Sequence, residues 1–239
     1  MTRICIIENG LVPERLRARH GLYPDMARAW LAPHLPEAEF TTVSVVSGEP
    51  LPATPSDFDG YLLTGSKYGV YDDLPWMRDL RAFLPVLAEA RIPMFGICFG
   101  HQIMAAAFGA QVRKSDKGVA TGPQLYSHDG LGMEPREVLV FHQDQVETPP
   151  RAGRAAGGND FCPLGVIAYD FPAFSVQYHP EFSKTFMQDL TEDLAGEWIT
   201  REHADQAKAL LAEAEVDTDA LGEKVAALMR GEAAVYPGA

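Results

Sequence analysis

The sequence is short of positive charge and of long apolar runs, and each shortage argues against a class of partner. Its 239 residues include 20 Lys and Arg against 33 Asp and Glu, for a formal net charge of -13. An acidic chain is a poor general binder of nucleic acid or of an anionic membrane surface. No apolar run reaches the ~20 residues that a membrane-spanning helix needs. We therefore expect neither nucleic acid nor a membrane as a partner.

Cysteine and metal-ligand patterns are equally sparse. Three cysteines, Cys5, Cys98 and Cys162, do not make a disulfide framework. There is no CxxC pair, and the seven histidines show no HExxH or comparable spacing, so no metal site is predicted. The apolar core of residues 1–8 is too short for a signal peptide and is typical of a strand. We expect a cytoplasmic protein without a metal or another cofactor.

Predicted strands and helices alternate over the first 110 residues. They are expected at residues 3–8 (strand), 25–35 (helix), 40–46 (strand), 59–66 (strand) and 75–90 (helix). Pro85 is expected to kink or divide the last of these helices. The alternation predicts an open α/β sheet with mostly parallel strands and helices on both faces. Sites in such sheets form beyond the carboxyl ends of the strands.

The rest of the chain changes character twice. Residues 111–177 contain short β-rich pieces joined by Gly/Pro turns, which predicts a small antiparallel section. Within it, the Gly/Ala-rich residues 151–159 are expected to form a loose surface loop. From residue 183 the pattern is helical, acidic and alanine-rich, which favours packing elements over a partner-binding surface. We predict one domain over residues 1–185 and a helical extension, 186–239, packed on it.

The pattern around Cys98 predicts a nucleophile. An apolar run at residues 92–97 indicates a buried strand, and an alanine-rich run at 103–108 indicates a helix. The spacing Gly96-x-Cys98-x-Gly100 between them has the form of a nucleophile elbow with Cys in place of Ser. A sulfur at a helix N-terminus is favoured as a thiolate. A lone cysteine is usually structural, but this context favours a nucleophile.

A base and its orienting group follow a later strand. His179 and Glu181 follow the apolar segment 174–178 and are separated by one residue, Pro180. This spacing lets the carboxylate meet one imidazole nitrogen while the other faces a sulfur. Either residue alone is more often structural or solvated. Together with the elbow they predict a Cys-His-Glu triad.

These motifs, in this order, resemble the class I (triad-type) glutamine amidotransferase domain. The resemblance covers about residues 1–185 and implies a flavodoxin-like α/β fold. Four segments carry it: Thr64-Gly65-Ser66, Gly96-Ile97-Cys98-Phe99-Gly100-His101-Gln102, Phe141-His142-Gln143-Asp144-Gln145-Val146 and Val176-Gln177-Tyr178-His179-Pro180-Glu181.

The resemblance implies a reaction and a role for each matching residue. Cys98 would attack the side-chain amide of glutamine to give a γ-glutamyl thioester and ammonia. His179 would act as base and then as acid, with Glu181 orienting it. The backbone N–H groups of Gly65 and Phe99 would form the oxyanion hole, where the elbow geometry also places such donors.

Further substrate contacts follow from the same resemblance. Gln102 would help to bind the amino-acid head of the substrate, and Ser66 would line its site. His142, Gln143 and Asp144 would contribute contacts mainly through their backbone. For His142, structural support is an equally open interpretation.

The sequence indicates the reaction chemistry more closely than it indicates which kind of family member this protein is. There is no Ser-Gly-Gly-x-Asp pyrophosphatase loop and no GxxxxGK[ST] phosphate loop, so no synthetase activity is predicted. Residues 64–76 most resemble stand-alone GMP-synthase-like proteins. Three functions stay open: a glutaminase that supplies ammonia to a separate synthetase, a free-standing γ-glutamyl hydrolase or peptidase, and a silent regulatory relative. The intact triad residues disfavour the third, and we favour hydrolysis of a γ-glutamyl amide with glutamine as the default substrate.

Overall fold

A seven-stranded sheet is the main layer of the protein. The computed structural model describes residues 2–232. Its strands are Thr2–Ile7 (β1), Ala38–Val43 (β2), Gly60–Leu63 (β3), Met94–Ile97 (β4), Val112–Lys114 (β5), Ala120–His128 (β6), Met133–His142 (β7), Asp144–Val146 (β8), Gly153–Gly157 (β9), Val166–Tyr169 (β10) and Ala173–Val176 (β11). Its α-helices are Glu14–His20 (α1), Tyr23–Leu31 (α2), Pro75–Glu89 (α3), Phe99–Ala107 (α4), Lys184–Asp193 (α5), Arg201–Glu213 (α6) and Asp219–Met229 (α7).

The strand order of the main sheet is β2-β1-β3-β4-β11-β10-β9. The first five of these strands pair in parallel, while β10 pairs antiparallel with both β11 and β9. The predicted open, mostly parallel α/β sheet is therefore confirmed. Because parallel strands end at the same edge, the segments that follow β1, β3, β4 and β11 meet there.

Both faces of the sheet are covered, which explains the continuous apolar run in β1. Ile4 and Ile6 point into a core shared with α2 and α7. Cys5 and Ile7 point to the opposite face, into a core shared with α3 and α4. A strand buried on both faces carries apolar residues at every position instead of alternating.

Two small antiparallel pairs, β5–β8 and β6–β7, form the predicted antiparallel section. Leu139 and Phe141 of β7 pack against α5 and α6 in a third core. The prediction of a loose loop over residues 151–159 was wrong, because Gly153–Gly157 forms the edge strand β9. An edge strand needs only backbone hydrogen bonds from its neighbour, so glycine and alanine are sufficient there.

Two helices depart from the sequence pattern. The helix α3 runs through Pro85 without being divided, because Met77, Leu80, Leu84 and Leu87 anchor its apolar face in the core. Tertiary packing supplies most helix stability, so it compensates for one lost hydrogen bond. The helix α1 was not predicted, since none of its residues is buried and no apolar stripe marks it.

The C-terminal helices pack against several parts of the chain. Helix α6 lies on β6, and α7 contacts α2 and β4. The division into residues 1–185 and 186–239 stays a prediction, and Met1 and residues 233–239 lie outside the described part. Within residues 2–232, no helix combines the length and apolarity that crossing a membrane requires.

Candidate active site

Cys98 lies on a sharp turn between β4 and α4. Its φ of 51° and ψ of -102° are rare for a residue with a side chain. Backbone bonds fix this conformation: the Cys98 N–H donates to the Val176 carbonyl at 2.8 Å, and the Gln102 N–H donates to the Cys98 carbonyl at 3.0 Å. Such strain persists where the surroundings over-determine it, and it is concentrated at functional sites.

The two glycines of the elbow permit close backbone approach. A β-carbon at Gly96 would lie 2.7 Å from the carbonyl carbon of Gly100. A β-carbon at Gly100 would overlap the carbonyl oxygen of Leu63, at the end of β3. The glycine spacing therefore allows the strand, the turn and the first turn of α4 to pack tightly beside the neighbouring strand.

His179 is oriented by Glu181. Nδ1 of His179 and Oε1 of Glu181 are 2.8 Å apart, and both side chains are buried. The imidazole stacks on the ring of Phe182 with centroids 3.9 Å apart and planes 8° apart. Cys98 lies beside this imidazole, since both side chains flank Gly65: a β-carbon there would lie 2.9 Å from Cε1 of His179 and 3.6 Å from Cβ of Cys98. The structure thus brings all three predicted triad residues together.

The charges around His179 favour its protonated form. Burial by itself lowers the pKa of His179, but the negative charges of Glu181 and Cys98, with hydrogen bonds to both, raise that pKa to about 10. An opposite charge in direct contact outweighs desolvation in this pair. The arrangement can therefore stabilise an imidazolium beside a thiolate.

The other two cysteines lie in different surroundings. Burial raises the pKa of Cys5 and of Cys162 to about 12 in each case. Both thiols are free and buried, and at neutral pH they stay protonated. Since the thiolate is the reactive form, neither is expected to act as a nucleophile.

A chain of side-chain amides reaches the sulfur from the other side. Nε2 of Gln177 donates to Sγ of Cys98 at 3.6 Å, and Nε2 of Gln102 donates to Oε1 of Gln177 at 3.0 Å. Gln102 also donates to the Asp144 carbonyl at 2.9 Å. The donors of Gln102 are therefore used within the protein, and its carbonyl oxygen is the part that remains for a ligand. Gln177 was not predicted as a site residue, although it lies in a motif segment.

The proposed oxyanion donors lie beside the triad. Phe99 is the first residue of α4, where a backbone N–H has no partner within the helix. Gly65 follows β3, and a β-carbon placed on it would lie 2.9 Å from Cε1 of His179 and 3.6 Å from Cβ of Cys98. A side chain at position 65 would thus enter the space between His179 and Cys98.

Asn9 fixes the peptide group that carries the Gly65 N–H. This residue is fully buried after β1, and its Nδ2 donates to the Thr64 carbonyl at 2.9 Å, while its own N–H donates to Oγ1 of Thr64 at 3.0 Å. The Thr64–Gly65 peptide is planar, so its N–H points opposite to that bonded carbonyl. Sequence reasoning missed Asn9; its position at the end of the first strand was the available signal.

The predicted substrate-side residues line the same cleft as Cys98. Oγ of Ser66 accepts from the Tyr68 N–H at 3.2 Å, and Nδ1 of His142 lies 3.1 Å from the Asp144 carbonyl. Burial lowers the pKa of His142 to about 4, so its imidazole is neutral at pH 7. The Asp144 carboxylate accepts from the hydroxyl of Tyr71 at 3.1 Å, and burial raises the pKa of that carboxyl.

The cleft that contains Cys98 extends beyond the predicted substrate-side residues. Its volume is about 830 Å³, and Cys98 and His179 lie on its wall. Its lining includes Ser66, Gln102 and His142. It also includes residues of α1 and the segment that precedes it, and of α5 and the residues that follow it. Within residues 2–232, no group of three or more His, Cys, Asp or Glu side chains is arranged to hold a metal ion.

Comparison with known proteins identifies the family. The model of the glutamine amidotransferase class-I family matches residues 36–194, which include the elbow and the His179–Glu181 segment. The chain belongs to this family. The resemblance seen in the motifs is therefore confirmed at the level of the family.

Several members of the class I glutamine amidotransferase family are similar to this chain. γ-Glutamyl peptidase 2 of Arabidopsis thaliana is 24% identical over 188 residues, which are 74% of this chain and 76% of that protein. The glutamine-hydrolyzing GMP synthase subunit of Sulfolobus acidocaldarius is 30% identical over 54% of this chain and 70% of its own length. A glutamine amidotransferase structure from Thermotoga maritima superposes with a TM-score of 0.72 at 17% identity, covering 98% of both chains. The last likeness supports the fold.

Proposed function

We propose that the protein hydrolyses a γ-glutamyl amide bond through a thioester on Cys98, with glutamine as the default substrate. The observation that carries the proposal is the buried, hydrogen-bonded His179–Glu181 pair beside a cysteine on a strained elbow. A nucleophile, a base and an orienting carboxylate in contact are the constellation that acyl transfer needs.

In the first half of the reaction, the Cys98 thiolate attacks the γ-carbonyl carbon. The carbonyl oxygen becomes an oxyanion and is stabilised by the N–H groups of Gly65 and Phe99. The imidazolium of His179 then donates its proton to the departing nitrogen as the carbon–nitrogen bond breaks. The products are a γ-glutamyl thioester and ammonia or an amine.

The second half consumes one water molecule. His179, now neutral, removes a proton from water, and the resulting hydroxide attacks the thioester carbon. The carbon–sulfur bond breaks, glutamate leaves, and the thiolate–imidazolium pair is restored. Glu181 accepts from Nδ1 throughout, which keeps Nε2 directed at the reacting atoms.

The glutamyl head is assigned to the side of the cleft that carries Ser66, Gln102 and residues 142–144. Backbone groups of His142, Gln143 and Asp144 and the carbonyl oxygen of Gln102 would meet its ammonium and carboxylate groups. The neutral His142 supports this wall through its contact with the Asp144 carbonyl.

Two uses of this reaction are supported by different relatives. Relatives named as glutamine-hydrolyzing subunits of GMP synthase support a glutaminase that supplies ammonia to a separate synthetase in the cytoplasm. Relatives named as γ-glutamyl peptidases support a free-standing hydrolase of γ-glutamyl conjugates. The silent regulatory alternative is disfavoured by the assembled triad.

An assay of the purified chain tests the proposal. Glutamate and ammonia release would be measured with glutamine and with a panel of γ-glutamyl peptides. Full turnover by the chain alone is expected of a hydrolase, whereas weak turnover that a synthetase stimulates is expected of a glutaminase that works with a partner. Release of no glutamate from any of these compounds by folded protein would contradict the proposed function.

Replacing Asn9 by alanine is expected to lower kcat by about 10-fold with a smaller change in KM. The loss follows because one oxyanion donor is worth ~10²–10³ in kcat, and the substitution disorients the Gly65 N–H without removing it. Steady-state kinetics would measure kcat and KM separately, and a thermal melt would test whether the variant is folded.

Asn159 offers a matched control for that experiment. Its side chain also bonds loop backbone, accepting from the Cys162 N–H at 2.8 Å, but it does not line the cleft. Asn159→Ala should therefore leave kcat unchanged. Equal losses in the two variants, or an Asn9→Ala effect confined to KM, would argue against the positioning role.

A further inference from the structure

We propose that the part of the cleft lined by α5 and the residues around α1 binds the leaving amine, and that the apolar side chains there select γ-glutamyl amides with a bulky apolar amine. This inference rests on the proposed function and specifies its substrate class. The relevant apolar side chains, called here the amine arm, are Leu11, Phe182, Leu190, Leu194 and Trp198. Charged side chains of the same segments line the cleft as well: Glu14, Arg15, Arg17, Asp193 and Glu197.

The position of the group that protonates the leaving nitrogen places the amine beside the amine arm. His179 supplies the proton to the leaving nitrogen, so that nitrogen has to face the imidazole as the bond breaks. Phe182 covers the face of the same imidazole, and Phe182, Leu190 and Leu194 pack in one cluster. We place any group attached to the nitrogen beside these apolar side chains, which line the cleft next to His179.

Two large apolar side chains on this arm are exposed to solvent. Trp198 is 46% exposed and Leu11 is 38% exposed, and both line the cleft that contains Cys98. Scattered surface apolar residues are ordinary, but an exposed tryptophan on the wall of a reactive cleft offers a flat surface to an apolar ligand. Ammonia, the leaving group of glutamine, would contact neither of them.

Side-chain contacts between α1 and α5 hold the segments beside the arm together. Nε of Arg15, in α1, lies 2.6 Å from Oδ1 of Asp193, at the end of α5, and the Arg15 guanidinium also reaches the Asp193 carbonyl at 3.4 Å. A second contact between the helices pairs Nε2 of His20 with Oδ2 of Asp189 at 2.7 Å. These contacts fix the spacing of α1 and α5, next to which the arm residues lie, and pre-formed walls favour binding.

The size of the cleft agrees with a substrate larger than glutamine. Clefts of about 300–1,000 Å³ enclose drug-sized ligands, and this one is about 830 Å³. The glutamyl head occupies only the side that carries Ser66 and Gln102. The remaining space, on the amine arm, suits an amino acid or amine with an aromatic or branched side chain.

The test compares kcat/KM for glutamine, γ-glutamyl-glycine and γ-glutamyl-phenylalanine. The wild type is expected to prefer the phenylalanine compound to the glycine compound by about 10–200-fold, the range that an apolar pocket achieves. Trp198→Ala and Leu11→Ala should each remove most of that preference and leave kcat/KM for glutamine unchanged. Leu125→Ala is the matched control, since Leu125 is 60% exposed and does not line the cleft.

The outcomes separate this inference from the function on which it rests. Equal kcat/KM for the two dipeptides, or equal loss with glutamine and the phenylalanine compound in Trp198→Ala, would overturn the amine arm alone. Absence of hydrolysis of all three compounds by the wild type would overturn both. Unchanged glutamine kinetics in the variants also shows that they are folded.

Discussion

Cys98→Ala is expected to abolish γ-glutamyl thioester formation and to lower glutamate release by at least ~1,000-fold. Removal of the nucleophile from a triad leaves only what the oxyanion hole and substrate binding provide. The measurement is mass spectrometry of the protein after incubation with a glutamine-analogue affinity label, together with the release assay. The wild type should carry one label, on Cys98, and Cys98→Ala should carry none.

The other cysteines are internal controls for this experiment. Because burial raises the pKa values of Cys5 and Cys162 to about 12, their thiols should not react at neutral pH. Cys162→Ala should therefore retain both labelling and turnover. A label on Cys5 or Cys162, with none on Cys98, would refute the assignment of the nucleophile.

His179→Ala is expected to lower kcat/KM by about 10²–10⁴-fold, and Glu181→Gln by less. Proton transfer by a positioned side chain is typically worth that factor. Glutamine at position 181 keeps a side-chain oxygen that can accept from Nδ1, so orientation is partly retained. Steady-state kinetics of the two variants decides the matter, and equal losses would contradict the division of roles.

The pH profile distinguishes orientation from charge. Glu181 contributes to the raised pKa of His179, which is about 10, and Glu181→Gln removes that contribution while burial still lowers the pKa. The protonated imidazole is then lost at a lower pH. The alkaline limb of kcat/KM should therefore move to lower pH in Glu181→Gln, and an unmoved limb would show that Glu181 does not tune His179.

The elbow and the His-x-Glu segment could be predicted because their information is local. Gly96, Cys98 and Gly100 are constrained by one turn. His179 and Glu181 follow the same strand and are separated by a single residue, which brings their side chains together. The strand-helix alternation was visible for the same reason, since apolar periodicity reports the burial of each segment. These patterns were sufficient for the family, the open sheet and the edge at which the site lies.

Elements without an apolar signature were not predictable. Helix α1 buries none of its residues, and β9 is defined by the neighbour with which it pairs. Pro85 suggested a divided helix, but the packing of the α3 face outweighs the loss of one backbone donor. In each case the deciding interaction comes from a part of the chain that is distant in sequence.

The sequence by itself determined the fold class, the family and the local form of the turn at Cys98. Only the tertiary structure decided which groups surround that turn. Asn9 meets Thr64 across 55 residues, Gln177 meets Cys98 across 79, and α1 meets α5 through Arg15 and Asp193. These contacts exist because parallel strands bring their carboxyl ends to one edge, where segments far apart in the chain become neighbours.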